Sequence, residues 1–236
     1  RVVSKTREEC IYNLKVEVMS NLFIKGVTLN GEVTNIRIKG DRFSEIGKEL
    51  KSVDNEEVID AKEKAIVPPF YNAHTHAAMT LLRGYADDMP LFPWLNDYIW
   101  PFEAKMTPRD IYIGSRLALL EMIKSGTIFY NDMYWDTQET WRATEEMGLR
   151  GCMGMTFTDG IGEEQIKKNF SMLKELNGKS NRLQMSVAPH AVYTVGEKLW
   201  KRCVEAAKSE GVLLHFHLSE TEKEVTDCIA QYGMTP

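Results

Sequence analysis

The stretch Val67–Gly84, VPPFYNAHTHAAMTLLRG, runs from an apolar segment into two histidines one residue apart, in a chain with five histidines in all. Side chains at i and i+2 of a strand point to one side, so His74 and His76 present two imidazoles to one point while Thr75 faces away. A lone His-x-His pair is equally well a hydrogen-bonded surface or core pair. A second cluster shifts the balance: His215-Phe-His217-Leu-Ser-Glu220 follows the apolar Val212-Leu-Leu and repeats the spacing. Two such clusters at strand ends point to one shared metal ion, and nitrogen donors without thiolates favour Zn²⁺ or Fe²⁺ over Mg²⁺ or Ca²⁺.

The segments around these clusters set the fold class. From Ala65 onward short apolar strands, expected near 66–74, 127–133, 150–156, 183–189 and 212–218, alternate with helical patterns, the signature of βαβ units and a parallel sheet. Ile113/Leu117/Leu120, Leu199/Cys203/Val204/Ala207 and Val225/Cys228/Ile229/Tyr232 each give one apolar stripe at helical spacing. Glycines 126, 148, 178, 211 and 233 sit where those helices should stop. Residues 66–236 therefore read as five βα units. Upstream, period-2 alternation punctuated by Asn30-Gly31 and Gly40-Asp41 predicts a small β unit over 19–65. Residues 1–18 read as an extension, with Met19 the expected start of the domain, and the charged run KELKSVDNEEVIDAKEK (48–64) as a solvated face.

Composition removes several classes of function. A net charge of −5 without a Lys/Arg cluster offers no field for a nucleic acid polymer, and no apolar run approaches the ~20 residues a membrane span needs. The charged N-terminus does not resemble a signal peptide, so a soluble cytoplasmic protein is expected. Cys10, Cys152, Cys203 and Cys228 are scattered without a C-x-x-C pair and read as buried free thiols.

The metal reading constrains the architecture. In an open sheet of five strands in the flavodoxin-like order, the first and fifth are about 14 Å apart with side chains nearly parallel, too far to share an ion. In a closed barrel they face each other across the axis. The fold class expected is therefore α/β, a (β/α)8 TIM-type barrel of which about five units are present, preceded by a small β-sandwich-like unit.

His74-Thr-His76-Ala-Ala-Met-Thr-Leu-Leu-Arg-Gly84, Pro93-Trp94-Leu95, Trp100-Pro-Phe-Glu103, Val187-Ala-Pro-His190 and His217-Leu-Ser-Glu220-Thr together resemble the amidohydrolase superfamily. The similarity lies with the branch of 5′-methylthioadenosine/S-adenosylhomocysteine deaminases and triazine chlorohydrolases, and runs from about Leu22 to the last residue. The resemblance implies that His74, His76 and His217 are metal ligands and that Glu220 shuttles protons. It implies that Glu103 and His190 bind substrate and that Trp94 lines the pocket. The aromatic-rich segment Ala77–Pro108 is too long for an ordinary loop and reads as a wall over that pocket. His215 is expected to support the site, and Asp132 to be structural.

Two departures from the family pattern matter. The fourth strand ends in Ala188-Pro-His190 without the carboxylated lysine of binuclear members, which implies one metal ion. The pattern's histidine after strand six and aspartate after strand eight have no counterpart in this chain. The activity implied is deamination of an adenosine-type nucleoside by attack of metal-bound hydroxide on the purine ring. The alternatives are a chlorohydrolase or deaminase of triazines or other N-heterocycles and, from another class, an inactive truncated fragment or binding module. The partner is a small molecule, a purine nucleoside or N-heterocycle; the choice between monomer and homo-oligomer stays open.

Overall fold

A computed structural model describes residues 21–236. The chain divides into two compact units, one ending at Pro68 and the other running from Pro69 to Pro236. The extension expected over 1–18, and with it Cys10 and the start at Met19, lies outside the described residues.

In the first unit, β1 (Asn21–Leu29), β2 (Glu32–Lys39), β3 (Arg42–Gly47) and β4 (Glu57–Asp60) form one sheet of order β3-β2-β1-β4. Asn30 and Gly31 have φ of 51° and 84°, the left-handed pair that a two-residue hairpin needs between β1 and β2. Of the sandwich-like unit expected here, the described residues form this single sheet, with β4 parallel to β1. Val27, Ile36 and Ala61 make its core. Most of the charged run is exposed, but Glu56 turns inward to pair with Arg37, which also binds Glu45 at 2.6 Å.

The second unit carries β5 (Phe70–Thr75), β6 (Thr127–Tyr134), β7 (Arg150–Phe157), β8 (Leu183–Pro189) and β9 (Leu213–Leu214) in one sheet, all parallel and in sequential order. Sequential order is the winding of a barrel; a doubly wound sheet reverses order at its middle. Between strands run α1 (Leu91–Pro93), a π-turn segment (Trp94–Ile99), α2 (Trp100–Glu103), α3 (Pro108–Ser125), α4 (Thr137–Met147), α5 (Gly162–Leu176) and α6 (Glu197–Glu210), and α7 (Glu222–Tyr232) follows β9. Met153, Met155, Phe157, Met185 and Val187 of the central strands pack with Leu173 of α5 and Leu199 and Cys203 of α6 in the main core. Cys152, Cys203 and Cys228 are free and buried, as expected.

Three sequence expectations need correction. The first barrel strand begins at Phe70, because Pro68 and Pro69 cannot donate to a ladder and Ile66 donates its N–H to Thr28 in the small unit. The fifth is paired only at Leu213 and Leu214. Residues 215–217 continue beside β8 through His215 N–H to the Val187 carbonyl and His217 N–H to that of His190, 2.9 Å each. The stripe Ile113/Leu117/Leu120 of α3 faces outward, each residue more than a third exposed; the buried face is Ile111, Ser115, Ala118, Leu119 and Met122. Gly126, Gly148, Gly211 and Gly233 cap helices in the left-handed conformation, whereas Gly178 lies one residue past the cap of α5.

Candidate active site

The site is built from β6 outward. Three consecutive residues of that strand grip the end of β5. The Asn131 carbonyl accepts from Thr75 Oγ1 at 2.7 Å, Asp132 Oδ1 accepts from Ala77 N–H at 2.7 Å, and the Met133 carbonyl takes His76 Nδ1 at 2.6 Å. The last bond puts the His76 proton on Nδ1 and leaves Nε2 with a free lone pair. That Nε2 lies 3.3 Å from His74 Nε2. Asn131 also donates through Nδ2 to the Ala73 carbonyl and to His215 Nε2, tying β5 to the strand that carries His217.

His217 arrives from the opposite edge. Strands β5 and β9 are the two edges of the sheet, four steps apart, which in a flat sheet would be about 19 Å. Yet the His217 ring lies 5.0 Å from that of His74 and 5.2 Å from that of His76. The sheet is therefore curled strongly enough to bring its edges' end residues over one axis. Among the described residues, His74, His76 and His217 form the one group of three whose ligand atoms lie within 4.8 Å of one another.

These nitrogens fit a metal ion. Two ligands at 2.0–2.1 Å in a tetrahedral shell sit about 3.3–3.4 Å apart, the separation found between His74 and His76. Burial first, then the neighbouring rings, pushes His217 down to about 3. Burial likewise lowers His76, and takes His190 and His215 to about 4. Neutral imidazoles with unshared pairs are the form a metal binds. His215 itself points its Nε2 at Asn131, and its buried Nδ1 has no hydrogen-bond partner.

Glu220 stands on the turn before α7. Ser219 is left-handed there (φ 54°), and the N–H groups of Ser219 and Glu220 donate to the two oxygens of Glu224 at 3.1 and 2.8 Å. Glu224 is 1% exposed, and its own N–H donates to Thr221 Oγ1, the N-cap of α7. Tyr193 O–H reaches Glu220 at 3.4 Å. Glu103, at the end of α2, accepts from Tyr134 O–H at 2.7 Å on one oxygen and from Trp135 Nε1–H at 2.9 Å on the other. Burial raises its pKa and these two bonds oppose the rise. His190 Nδ1 lies 2.8 Å from Thr194 Oγ1, whose proton goes to the Ala191 carbonyl, so the ring keeps its proton on Nδ1 and Nε2 is an acceptor.

All seven residues singled out in the sequence are thus brought into one region. His76, His217, Glu220, Glu103, His190 and Trp94 line a cavity of about 80 Å³, and His74 adjoins it through His76 and His217. The Ala77–Pro108 segment supplies much of its wall, through Leu91, Trp94, Leu95, Ile99 and Trp100. A larger cavity of about 800 Å³ adjoins it, since Trp100, Glu103, Trp135, His190 and Tyr193 line both. Asp132 is fully buried, with a pKa raised by that burial to about 7, and serves the backbone, as expected.

Sequence reasoning missed Tyr134 and Trp135, Thr194 and Glu224. The first three act through partners distant in the chain or through a loop without a recognisable pattern. Glu224 had a signal: Thr221-x-x-Glu224 is a capping-box spacing.

The profile described as the amidohydrolase family matches residues 65–236. The chain is 41% identical over 228 residues to a 5-methylthioadenosine/S-adenosylhomocysteine deaminase of Caldanaerobacter subterraneus subsp. tengcongensis, covering 92% of this chain and 53% of the relative. It is 40% identical over 225 residues to a 5′-deoxyadenosine deaminase of Methanosphaera stadtmanae, covering the same shares. Among solved structures, an adenosine deaminase from Xanthomonas campestris with bound zinc superposes with a TM-score of 0.81 at 29% identity, covering 91% of this chain and 53% of that one. The chain spans about half the length of the curated relatives it matches. The chain belongs to the amidohydrolase family.

Proposed function

We propose that the protein is a metal-dependent hydrolase that deaminates an adenosine-type nucleoside at C6 of the purine. One observation carries this reading: the ligand atoms of His74, His76 and His217 converge within 4.8 Å beside a cavity lined by Glu220 and by the doubly anchored Glu103. The names of the deaminase relatives support the substrate class.

In this reading His74, His76 and His217 hold one divalent ion, Zn²⁺ before Fe²⁺ on the donor set. When bound, that ion lowers the pKa of a coordinated water and so supplies a nucleophile at neutral pH. Glu220 takes one proton of the attacking water to the ring nitrogen, where it stays in the product, and then moves the remaining hydroxyl proton to the departing amino group, so that water adds and ammonia leaves without net charge. Glu103 receives the ribose hydroxyls: each of its oxygens already accepts one bond, and the second lone pair of each is free for a ligand. His190 offers Nε2 to a donor on the ligand, and Trp94 walls the ring.

The test is ammonia release by the metal-loaded protein, expressed at its complete natural length, from adenosine, 5′-methylthioadenosine and 5′-deoxyadenosine, with a chlorotriazine alongside. Turnover of the nucleosides is expected. Hydrolysis of the triazine with no nucleoside turnover would move the assignment to the N-heterocycle hydrolases.

A further inference from the structure

The small cavity holds little more than the reacting ring, so the rest of a nucleoside must extend past Glu103 into the cavity of about 800 Å³. Glu103 lines both, which sets the ribose at the junction and a 5′ substituent in the outer chamber. The chemistry of that chamber is lopsided. Glu103, Asp136 and Asp159 contribute three carboxylates to its lining, and among the described residues no lysine or arginine lines it. Among the described residues none of the three is in an ion pair. Asp159 accepts from Gly196 N–H at 2.6 Å, Glu103 from Tyr134 and Trp135, and Asp136 from Gln138 at 3.4 Å. The remaining wall includes the aromatic faces of Trp100, Trp135 and Tyr232.

We infer that this chamber selects nucleosides by the charge of the 5′ substituent, taking neutral or cationic tails and rejecting anionic ones such as carboxylates and phosphates; the inference rests on the nucleoside reading above. A negative tail would shed its water beside three uncompensated negative groups and find no fixed cation to replace it. A thioether or alkyl tail loses nothing there and gains aromatic contact. An ammonium tail gains both the carboxylates and the aromatic faces. The relatives' names include tails with and without a carboxylate, and the lining of this chain favours those without.

The experiment compares kcat/KM of the metal-loaded, complete-length enzyme on three adenosines whose 5′-thioether tails match in length and end in methyl, ammonium or carboxylate. The expected order is ammonium equal to or above methyl, with carboxylate about tenfold or more below methyl at low salt. The double variant Asp136→Asn, Asp159→Asn should narrow the methyl-to-carboxylate ratio several-fold, as should added salt. Asp136→Asn alone guards against misfolding, because asparagine tolerates the left-handed backbone at that position (φ 45°), and it should narrow the ratio in the same direction. Equal turnover of the methyl and carboxylate tails, or a ratio that neither variant moves, would overturn the inference while leaving deamination intact. No turnover of any of the three would overturn the nucleoside reading itself, and this inference with it.

Discussion

Glu220 and Glu224 are two glutamates four residues apart, one on the turn before α7 and one in its first turn, and their surroundings give them opposite work. Glu224 has both oxygens committed to backbone N–H groups and almost no exposure, so it can only hold the turn; Glu220 is left facing the cavity. Glu220→Gln should therefore keep its metal and lose about 10²–10⁴-fold in kcat, measured by steady-state kinetics beside metal analysis. An unchanged kcat would take Glu220 out of the mechanism. Glu224→Ala leaves two N–H groups without acceptors beside a left-handed Ser219, at a cost of about 1–3 kcal/mol each if they stay dry. It should lower both thermal stability and kcat, and a normal kcat in a folded variant would show that the turn does not need it. Glu103 is a third case. In Glu103→Gln the amide oxygen can still accept from Trp135 and its NH₂ can donate to Tyr134, so folding should survive. What goes is the charge-assisted bond to a ribose, worth roughly 1.5–3 kcal/mol, so nucleosides should weaken more than ring-only substrates. Equal losses for both kinds would assign Glu103 to structure.

At the level of elements, β6 acts as a jig: Asn131, Asp132 and Met133 each fix a different atom of the segment from Ala73 to Ala77. The same segment continues into the short 3₁₀ turn Ala77–Leu82, which lies against α3 at Gly114. A Cβ there would meet the Ala78 carbonyl oxygen at 2.5 Å, and Thr80 Oγ1 donates to the Gly114 carbonyl. Gly114→Ala must push the turn off α3. The expected cost is about 1–3 kcal/mol of stability, together with weaker metal binding, because the displaced turn begins one residue after His76. A calorimetric melt and a metal titration check the two parts, and wild-type values for both would show that the turn yields freely. This contact also marks the limit of what the sequence discloses. The histidine pairs and the helix-stopping glycines were legible because strand period and cap conformation are local rules, whereas the role of Glu220 came from family resemblance. Glu103 was legible only through family resemblance, since the Tyr134 and Trp135 bonds that anchor it span about thirty residues of chain. The outward stripe of α3 misled for a different reason: both faces of that helix carry apolar residues, and periodicity does not say which face meets the sheet. The pairing of the fifth strand was overestimated because β9 has apolar character beyond the two residues that find partners.

For the molecule as a whole, the decisive property is that the proposed metal-ligand set bridges the two edges of the sheet. His74 and His76 stand at the end of β5, and His217 follows β9, so the three rings converge only while the curl of all five strands is kept. Nothing in the ladder itself enforces that curl. Among the described residues the edge strands keep one side of their backbone unpaired, and Phe70, Tyr71 and Leu213 are each more than 60% exposed along them. A closed (β/α)8 barrel covers such edges with its remaining strands and holds the curl by geometry. The family pattern also implies a further histidine and an aspartate at the site, and loss of supporting groups alone typically costs about 10–100-fold in metal affinity or activity. Residues 1–236 expressed by themselves should therefore bind zinc weakly, show no deaminase turnover and associate through the β5 and β9 edges as concentration rises. Light scattering across a dilution series, with metal analysis of each fraction, measures all three properties on one sample. A monodisperse monomer that carries one tightly held zinc ion and turns over nucleoside would show that the five-stranded sheet keeps its curl without closure. The exposed edges would then have to be stable in water as they stand, against the expectation for unpaired apolar edge strands.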